Sequence, residues 1–306
     1  MRIAIFGGTG FVGSYLIDAL VAAGHRPSVL VRDGSEKKVK HAEKCRLVPG
    51  DLQSEAMIDA TLEGCDAVIY NIGILKEIAR QSITFEELQY NGVVRVAAAA
   101  KRRGILRFLL MSANGVKQPG TLYQETKFRA ELHVKSSGLE ATIFRPSVIF
   151  GDPRGTMEFA TQLHRDMIAP PLPAVSFFSG RSPGRGEILM SPVHVEDVSL
   201  AFVAALHDPT TIAHTYALGG PDILTWTEIL RRIASTVESR KWILPMPLWL
   251  IRIAATLFDW LPFFPVTRDQ LTMLAEGNTT DSSELETLIR RPPLAFVPEN
   301  IAYLRS

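Results

Sequence analysis

Only two cysteines, Cys45 and Cys65, occur in 306 residues. Two cysteines make no disulfide framework, and no metal-ligand spacing surrounds them, so a reducing compartment is expected. His25, His41, His133, His164, His207 and His214 form no metal constellation either, and no metal is expected. Charge of one sign is also lacking: 33 basic residues stand against 32 acidic ones, a formal net charge of +1. So balanced a chain offers no field for nucleic acid or for an acidic membrane surface. There is no internal repeat and no low-complexity tract. Met1-Arg2 runs straight into an apolar segment with no signal-peptide pattern, which predicts a cytoplasmic protein.

An uninterrupted run of about 18 apolar residues, long enough to span a bilayer, is missing as well. The nearest approach is Pro245 to Pro265, PMPLWLIRIAATLFDWLPFFP, with Arg252 and Asp259 its only charges. The bounding prolines leave a helix of about a dozen residues, too short to cross. Two readings stay open. The segment packs a core, or it presents an apolar face to a prenylated substrate, a partner subunit or the inner face of a membrane. The scarcity of basic residues counts against the lipid version.

What the sequence does have is glycine in a particular place. The chain opens MRIAIFGGTGFVG: an apolar run, Ile3 to Phe6, then glycines at 7, 8, 10 and 13, then a helical pattern. Strand, glycine-rich turn and helix, in that order, suit a dinucleotide pyrophosphate. Gly7 permits a tight turn, Gly10 lets backbone approach the phosphates, and Gly13 lets the helix pack closely on the strand. The helix start supplies free N–H groups and partial positive charge. Gly7, Thr9, Gly10, Phe11, Val12 and Gly13 are the candidate cradle.

Through residue 150 strand and helix patterns alternate. The periodicity predicts helices over 12–23, 85–103 and 122–136, and strands over 28–31, 46–48, 67–70, 107–111 and 141–144. Alternation of this kind means βαβ units, hence a doubly wound parallel sheet with helices on both faces. Ligands in such sheets sit outside the carboxyl ends of the strands. The exits are Gly7, Arg32, Asp51, Asn71, Ser112 and Pro146. From about residue 151 glycine and proline rise, so 151–306 reads as a smaller lobe, with segments near 190–218 returning to the core. There a capping box, Thr225 with Glu228, starts a helix over 225–238.

Tyr123 and Lys127 lie four residues apart on the predicted 122–136 helix and share a face. An ammonium beside a phenol favours the phenolate and lowers its pKa from about 10. Ser112 ends the preceding strand. Together the three can move a proton beside a nicotinamide: Tyr123 exchanges it, Ser112 polarises a carbonyl, Lys127 tunes Tyr123 and holds the ribose. Arg32, at the end of the second strand, can accept a 2′-phosphate, which favours NADP(H) over NAD(H). An ion pair between Arg32 and Asp33 would leave that choice undecided. His194 and Asp197, three residues apart, read as structural.

These motifs, with Arg145-Pro146-Ser147 and Pro192-Val-His194-Val-Glu-Asp197-Val, resemble the short-chain dehydrogenase/reductase superfamily in its extended and atypical members. Leu218-Gly-Gly-Pro221, Thr225-x-x-Glu228-Ile-Leu and Thr267-Arg-Asp-Gln-Leu271 look like the atypical branch, which includes the nucleotide-binding accessory subunit of respiratory complex I and its bacterial relatives. The resemblance implies a Rossmann-type fold and NAD(P). It also implies that Asp51 and Leu52 flank the adenine, that Asn71 and Gly73 run along the pyrophosphate and ribose, and that Pro146 lines the site. Two functions are carried forward. One is an NADP(H)-dependent oxidoreductase acting on a bulky apolar, quinone-related substrate. The other is a protein that holds its nucleotide without turnover, as a structural or assembly part of a respiratory complex.

Overall fold

A computed structural model describes residues 1–180, 186–250 and 268–305. The chain divides into two compact units. Unit 1 comprises Met1–Pro146, Val195–Ala217 and Glu284–Arg291.

Six strands of unit 1 pair in parallel: β1 (Arg2–Phe6), β2 (Arg26–Val31), β3 (Arg46–Pro49), β4 (Ala67–Tyr70), β5 (Arg107–Met111) and β6 (Glu140–Pro146). A seventh, β7 (Thr215–Leu218), extends the sheet beyond β6, giving the order β7-β6-β5-β4-β1-β2-β3. The winding reverses at β1, which has β2 on one side and β4 on the other. The crevice between the β1 and β4 exits is therefore the topological switch point, where ligands bind in sheets of this kind. Burial on both faces explains the near-continuous apolar strands: Ile3, Ala4, Ile5 and Phe6 of β1 are all fully buried.

The helices of this unit include α1 (Phe11–Ala22), α2 (Glu55–Leu62), α3 (Gly92–Arg102), α4 (Leu122–Ser136) and α5 (Val195–His207), and a short one at Ser283–Ile289 lies in the returning segment. The strand over 67–70, the strand over 107–111 and the helix over 122–136 fall where periodicity predicts them. The helix predicted over 85–103 does not run unbroken: Glu86–Asn91 is a π-turn ahead of α3. The buried Tyr70 hydroxyl donates to the Leu88 carbonyl at 2.5 Å, and a Cβ on Gly92 would lie 2.3 Å from that hydroxyl. A buried polar group is matched locally by opening the helix. In α5, Asp197 is fully buried and its carboxylate stands 2.5 Å from Arg291, within the same unit.

Unit 2 comprises Ser147–His194, Leu218–Ser283 and Pro292–Ser306. The return of Glu284–Arg291 to unit 1 carries no sequence signal of its own. The core of unit 2 surrounds the helix Trp226–Thr236, whose Ile229, Leu230 and Ile233 are fully buried, together with Phe150 and Phe296. That helix starts with the capping box read from Thr225 and Glu228. It stops two residues short of the predicted end, where Glu238 takes a positive φ of 55°. His194 is buried edge-on against Phe150 at 5.0 Å. Of the apolar segment at 245–265, residues 251–265 lie outside the described residues, as do 181–185 of the glycine-rich loop. Among the described residues no helix is long and apolar enough to cross a membrane.

Candidate nucleotide site

The turn after β1 is built for close approach. Gly7 has φ +100°, and a Cβ there would meet the Asn71 carbonyl group at 2.9–3.0 Å. A Cβ on Gly13 would lie 2.1 Å from the Gly7 carbonyl oxygen and 2.7 Å from Gly8 Cα. A Cβ on Gly10 would meet only the Gly7 oxygen, at an ordinary 3.6 Å. Gly7 and Gly13 are thus required by packing, whereas Gly10 leaves open space. Gly10 is the N-cap of α1 and has no side-chain cap. The first-turn N–H groups lack intrahelical partners, as an anion site needs. Thr9, Phe11 and Val12 flank them, half-buried.

The other exits fall along the same edge of the sheet. Asn71 donates from its backbone N–H to the Phe6 carbonyl at 2.8 Å, which joins the β4 exit to the β1 exit. Lys127 Nζ lies 3.7 Å from where a Gly73 Cβ would stand. Arg32 is exposed and makes no ion pair among the described residues, so the pairing with Asp33 is not formed. Asp51 accepts at Oδ1 from the N–H groups of Gln53 and Ser54, at 2.7 and 3.2 Å, which closes a turn. The Leu52 side chain packs into the core, and its carbonyl accepts from Arg95 at 3.1 Å. The Pro146 carbonyl accepts from the Asn114 N–H at 2.8 Å, tying the loop after β5 to the β6 exit.

α4 carries the candidate chemistry. A capping box, Thr121 with Gln124, starts it; the T-x-x-Q spacing is its signature in the sequence. The Tyr123 ring stands edge-on to Phe85 at 5.7 Å. Lys127 Nζ lies 5.8 Å from the centre of that ring and donates to the Met111 carbonyl at 3.1 Å. The expected lowering of the phenol does not occur: burial pushes Tyr123 up to about 12. The ammonium sits over the ring face and bonds a carbonyl, so dehydration of the phenol dominates. Burial also brings Lys127 down to about 8, opposed by the Glu131 carboxylate. Behind Lys127, a crevice lined by Tyr70, Ile72, Gln89, Met111 and Ser112 is too narrow to admit a water molecule.

A prediction follows from Lys127. Its folded pKa lies below the unfolded value of 10.5, so the unfolded chain binds the extra proton between about pH 8 and that value. Stability from this group therefore rises with pH across that window, and the penalty is complete below it. Lys127→Met is expected to stabilise the fold at neutral pH by about 1 kcal/mol after loss of the Met111 hydrogen bond, while weakening nucleotide binding. Thermal melting near pH 7 and near pH 10 checks the sign: the gain shrinks at the higher pH.

Ser112 does not stand free at the β5 exit. Its hydroxyl is buried and donates to Glu131 at 2.5 Å. Glu131 went unread in the sequence, although Tyr123, Lys127 and Glu131 recur every fourth residue along one helix face.

A parallel sheet wound both ways from β1, with an uncapped helix start behind a glycine turn at the switch point, defines a Rossmann-type dinucleotide-binding protein. The cradle fits the group: only glycine is tolerated at positions 7 and 13, and position 10 is open. The profile of an NAD(P)H-binding family matches residues 7–168, and the chain belongs to that family. It is 30% identical over 258 residues to a ceramide reductase of Caulobacter vibrioides, covering 84% of this chain and 77% of that protein. It is 29% identical over 314 residues to the mitochondrial NADH dehydrogenase [ubiquinone] 1 alpha subcomplex subunit 9 of Arabidopsis thaliana, covering 97% and 74%. Among solved structures, MoeE5 in complex with UDP-glucose and NAD superposes with a TM-score of 0.74 at 16% identity, covering 100% of this chain and 97% of that one.

Proposed function

We propose that this chain is an NADP(H)-dependent oxidoreductase that reduces a bulky apolar carbonyl or quinone-related substrate. The observation that carries the reading is the placement of Tyr123 and Lys127 on one face of α4, with the buried ammonium at the edge of the sheet beside Gly73. The reduced nicotinamide, when bound, supplies the hydride. Tyr123 supplies the proton: a phenol held at about 12 is fully protonated at neutral pH and is a donor, not a base. Lys127 holds the ribose and returns positive charge to the phenol as it gives up its proton. The glycine turn and the start of α1 hold the pyrophosphate. A ceramide reductase among the relatives supports an apolar substrate.

The preference for NADP(H) rests on Arg32, an exposed guanidinium at the β2 exit with no internal partner among the described residues, followed by Lys37 and Lys38. A charge-assisted contact to a 2′-phosphate contributes roughly 1.5–3 kcal/mol. Arg32→Ala is accordingly expected to weaken NADPH binding about tenfold or more while leaving NADH nearly unchanged. Parallel titration with the two nucleotides measures it; an equal effect on both would remove the basis for the preference.

One observation favours the second reading, a nucleotide-holding structural or assembly protein. The Ser112 hydroxyl is bonded inward to Glu131, leaving the expected carbonyl partner turned into the protein. In that role the segment at 245–265 would meet a membrane or a respiratory-complex subunit, in keeping with the subunit named among the relatives. Incubating the NADPH-loaded protein with quinones and long-chain carbonyls, and following the loss of reduced nicotinamide absorbance, separates the two. Consumption supports the enzyme; its absence across the series, with NADPH still bound, favours the structural role.

A further inference from the structure

Glu131 is fully buried at the middle of α4. Its Oε1 accepts from Ser112 Oγ at 2.5 Å and from Arg145 Nε at 2.8 Å, and its Oε2 accepts from Arg145 Nη2 at 2.5 Å. Dehydrating a carboxylate is costly, and a two-pronged guanidinium with a hydroxyl offsets that cost through charge-assisted hydrogen bonds. The contacts also have a geometric result. Ser112 follows β5 and Arg145 lies near the end of β6. One side chain thus gathers the exits of two strands onto the helix that carries Tyr123 and Lys127. A serine has one hydroxyl proton. With that proton given to Glu131, Ser112 faces a ligand only as an acceptor, and it does not polarise a carbonyl.

The charges can be counted. Lys127 and Arg145 are cations; Glu131 pairs with Arg145 and stands one helix turn after Lys127. Facing Lys127 are Tyr123 on its own helix, Tyr70 across the crevice, and the uncharged Gln89 and Ser112, and the Glu131 carboxyl acts on it from one turn further along α4. The pairs Glu86–Arg129 and Glu87–Arg95, on the neighbouring helical segments and α4 itself, are closed on each other at 2.8 and 2.6 Å. Burial pushes both Tyr70 and Tyr123 upward, so in the weakly alkaline range Lys127 is the group that changes charge.

We propose that Glu131 is a positioning residue of the nucleotide site: it holds Ser112 as an acceptor, gathers the β5 and β6 exits onto α4, and sets its carboxylate one helix turn from Lys127, the cation that meets the cofactor. The proposal rests on the reading of Lys127 as a cofactor residue.

Its test is the affinity for NADPH, measured by nucleotide fluorescence from about pH 6 to about pH 10, in the wild type and in Glu131→Gln, Glu131→Asp and Arg145→Gln. The wild type is expected to lose affinity as Lys127 deprotonates near 8. Glu131→Gln should move that midpoint down by about one pH unit, roughly a fivefold loss at the original midpoint. Glu131→Asp, which keeps the charge, should restore most of the shift. Arg145→Gln, which removes a cation, should move it upward. Circular dichroism identifies which variants fold, and the opposed signs keep the test decisive if one does not. A midpoint that stays put in the folded variants overturns the proposal, as does an equal shift for Gln and Asp. Tight binding by the wild type that ignores pH overturns it while leaving the nucleotide site intact. No NADPH binding at any pH overturns the nucleotide reading itself, and the proposal with it.

Discussion

Gly13→Ala is expected to cost the fold about 1–3 kcal/mol and to weaken NADPH binding about a hundredfold. The added methyl would sit 2.1 Å from the Gly7 carbonyl oxygen and 2.7–2.8 Å from Gly8 backbone carbons. None of these atoms is the loose end of a side chain, so α1 must back away from the turn. The first-turn N–H groups that would face the pyrophosphate move with it. Gly10→Ala separates fold from ligand. Its methyl meets only the Gly7 oxygen at 3.6 Å, and its backbone (φ −82°, ψ 176°) suits any residue. Its melting temperature should stay near that of the wild type while NADPH affinity falls, because the methyl occupies the space the phosphates need. Melting curves and nucleotide titrations on both variants check the pair. Wild-type stability and affinity in Gly13→Ala would mean that the close packing of turn and helix is not needed.

Tyr123→Phe is expected to lower turnover by about 10²–10⁴-fold, the range for loss of a general acid, and to leave NADPH affinity within about threefold. Phenylalanine keeps the edge-on contact with Phe85 and the ring face beneath Lys127, so packing is retained. What goes is the hydroxyl proton alone. Because burial holds the phenol at about 12, wild-type turnover should be flat through neutral pH, fall first above about 8 as Lys127 loses its charge, and fall again in strong alkali, when the donor is lost. A wild-type rate that instead rises toward alkaline pH would point to a phenolate base and to oxidation as the favoured direction. An unchanged rate in Tyr123→Phe, with substrate consumed, would place the proton donor elsewhere.

Much of the fold was legible because its signals are local. Alternating apolar runs and helical patterns mark the strands 67–70 and 107–111 and the helix 122–136. The capping residues Thr225 and Glu228 sit at a fixed spacing that needs no tertiary partner. The π-turn at Glu86–Asn91 was not legible, since it answers a hydroxyl on Tyr70, a strand away. Nor was the return of Glu284–Arg291 to unit 1, where Arg291 reaches the buried Asp197 and Glu284 accepts from the Ala217 N–H.

By itself, then, the sequence determined the class of this protein. A turn that only glycine can make, a bare helix start and a βαβ rhythm are written in neighbouring residues, and they define a dinucleotide site wherever they occur together. The chemistry beside that site was decided by tertiary structure. Whether Tyr123 is acid or base, whether Ser112 gives or takes a proton, and whether Lys127 stays charged depend on how dry each group is and which charges face it. Those are properties of Glu131, Arg145 and Met111, brought there from α4, β6 and β5. Dehydration and Coulomb interaction act through space, and residue spacing along the chain does not report them.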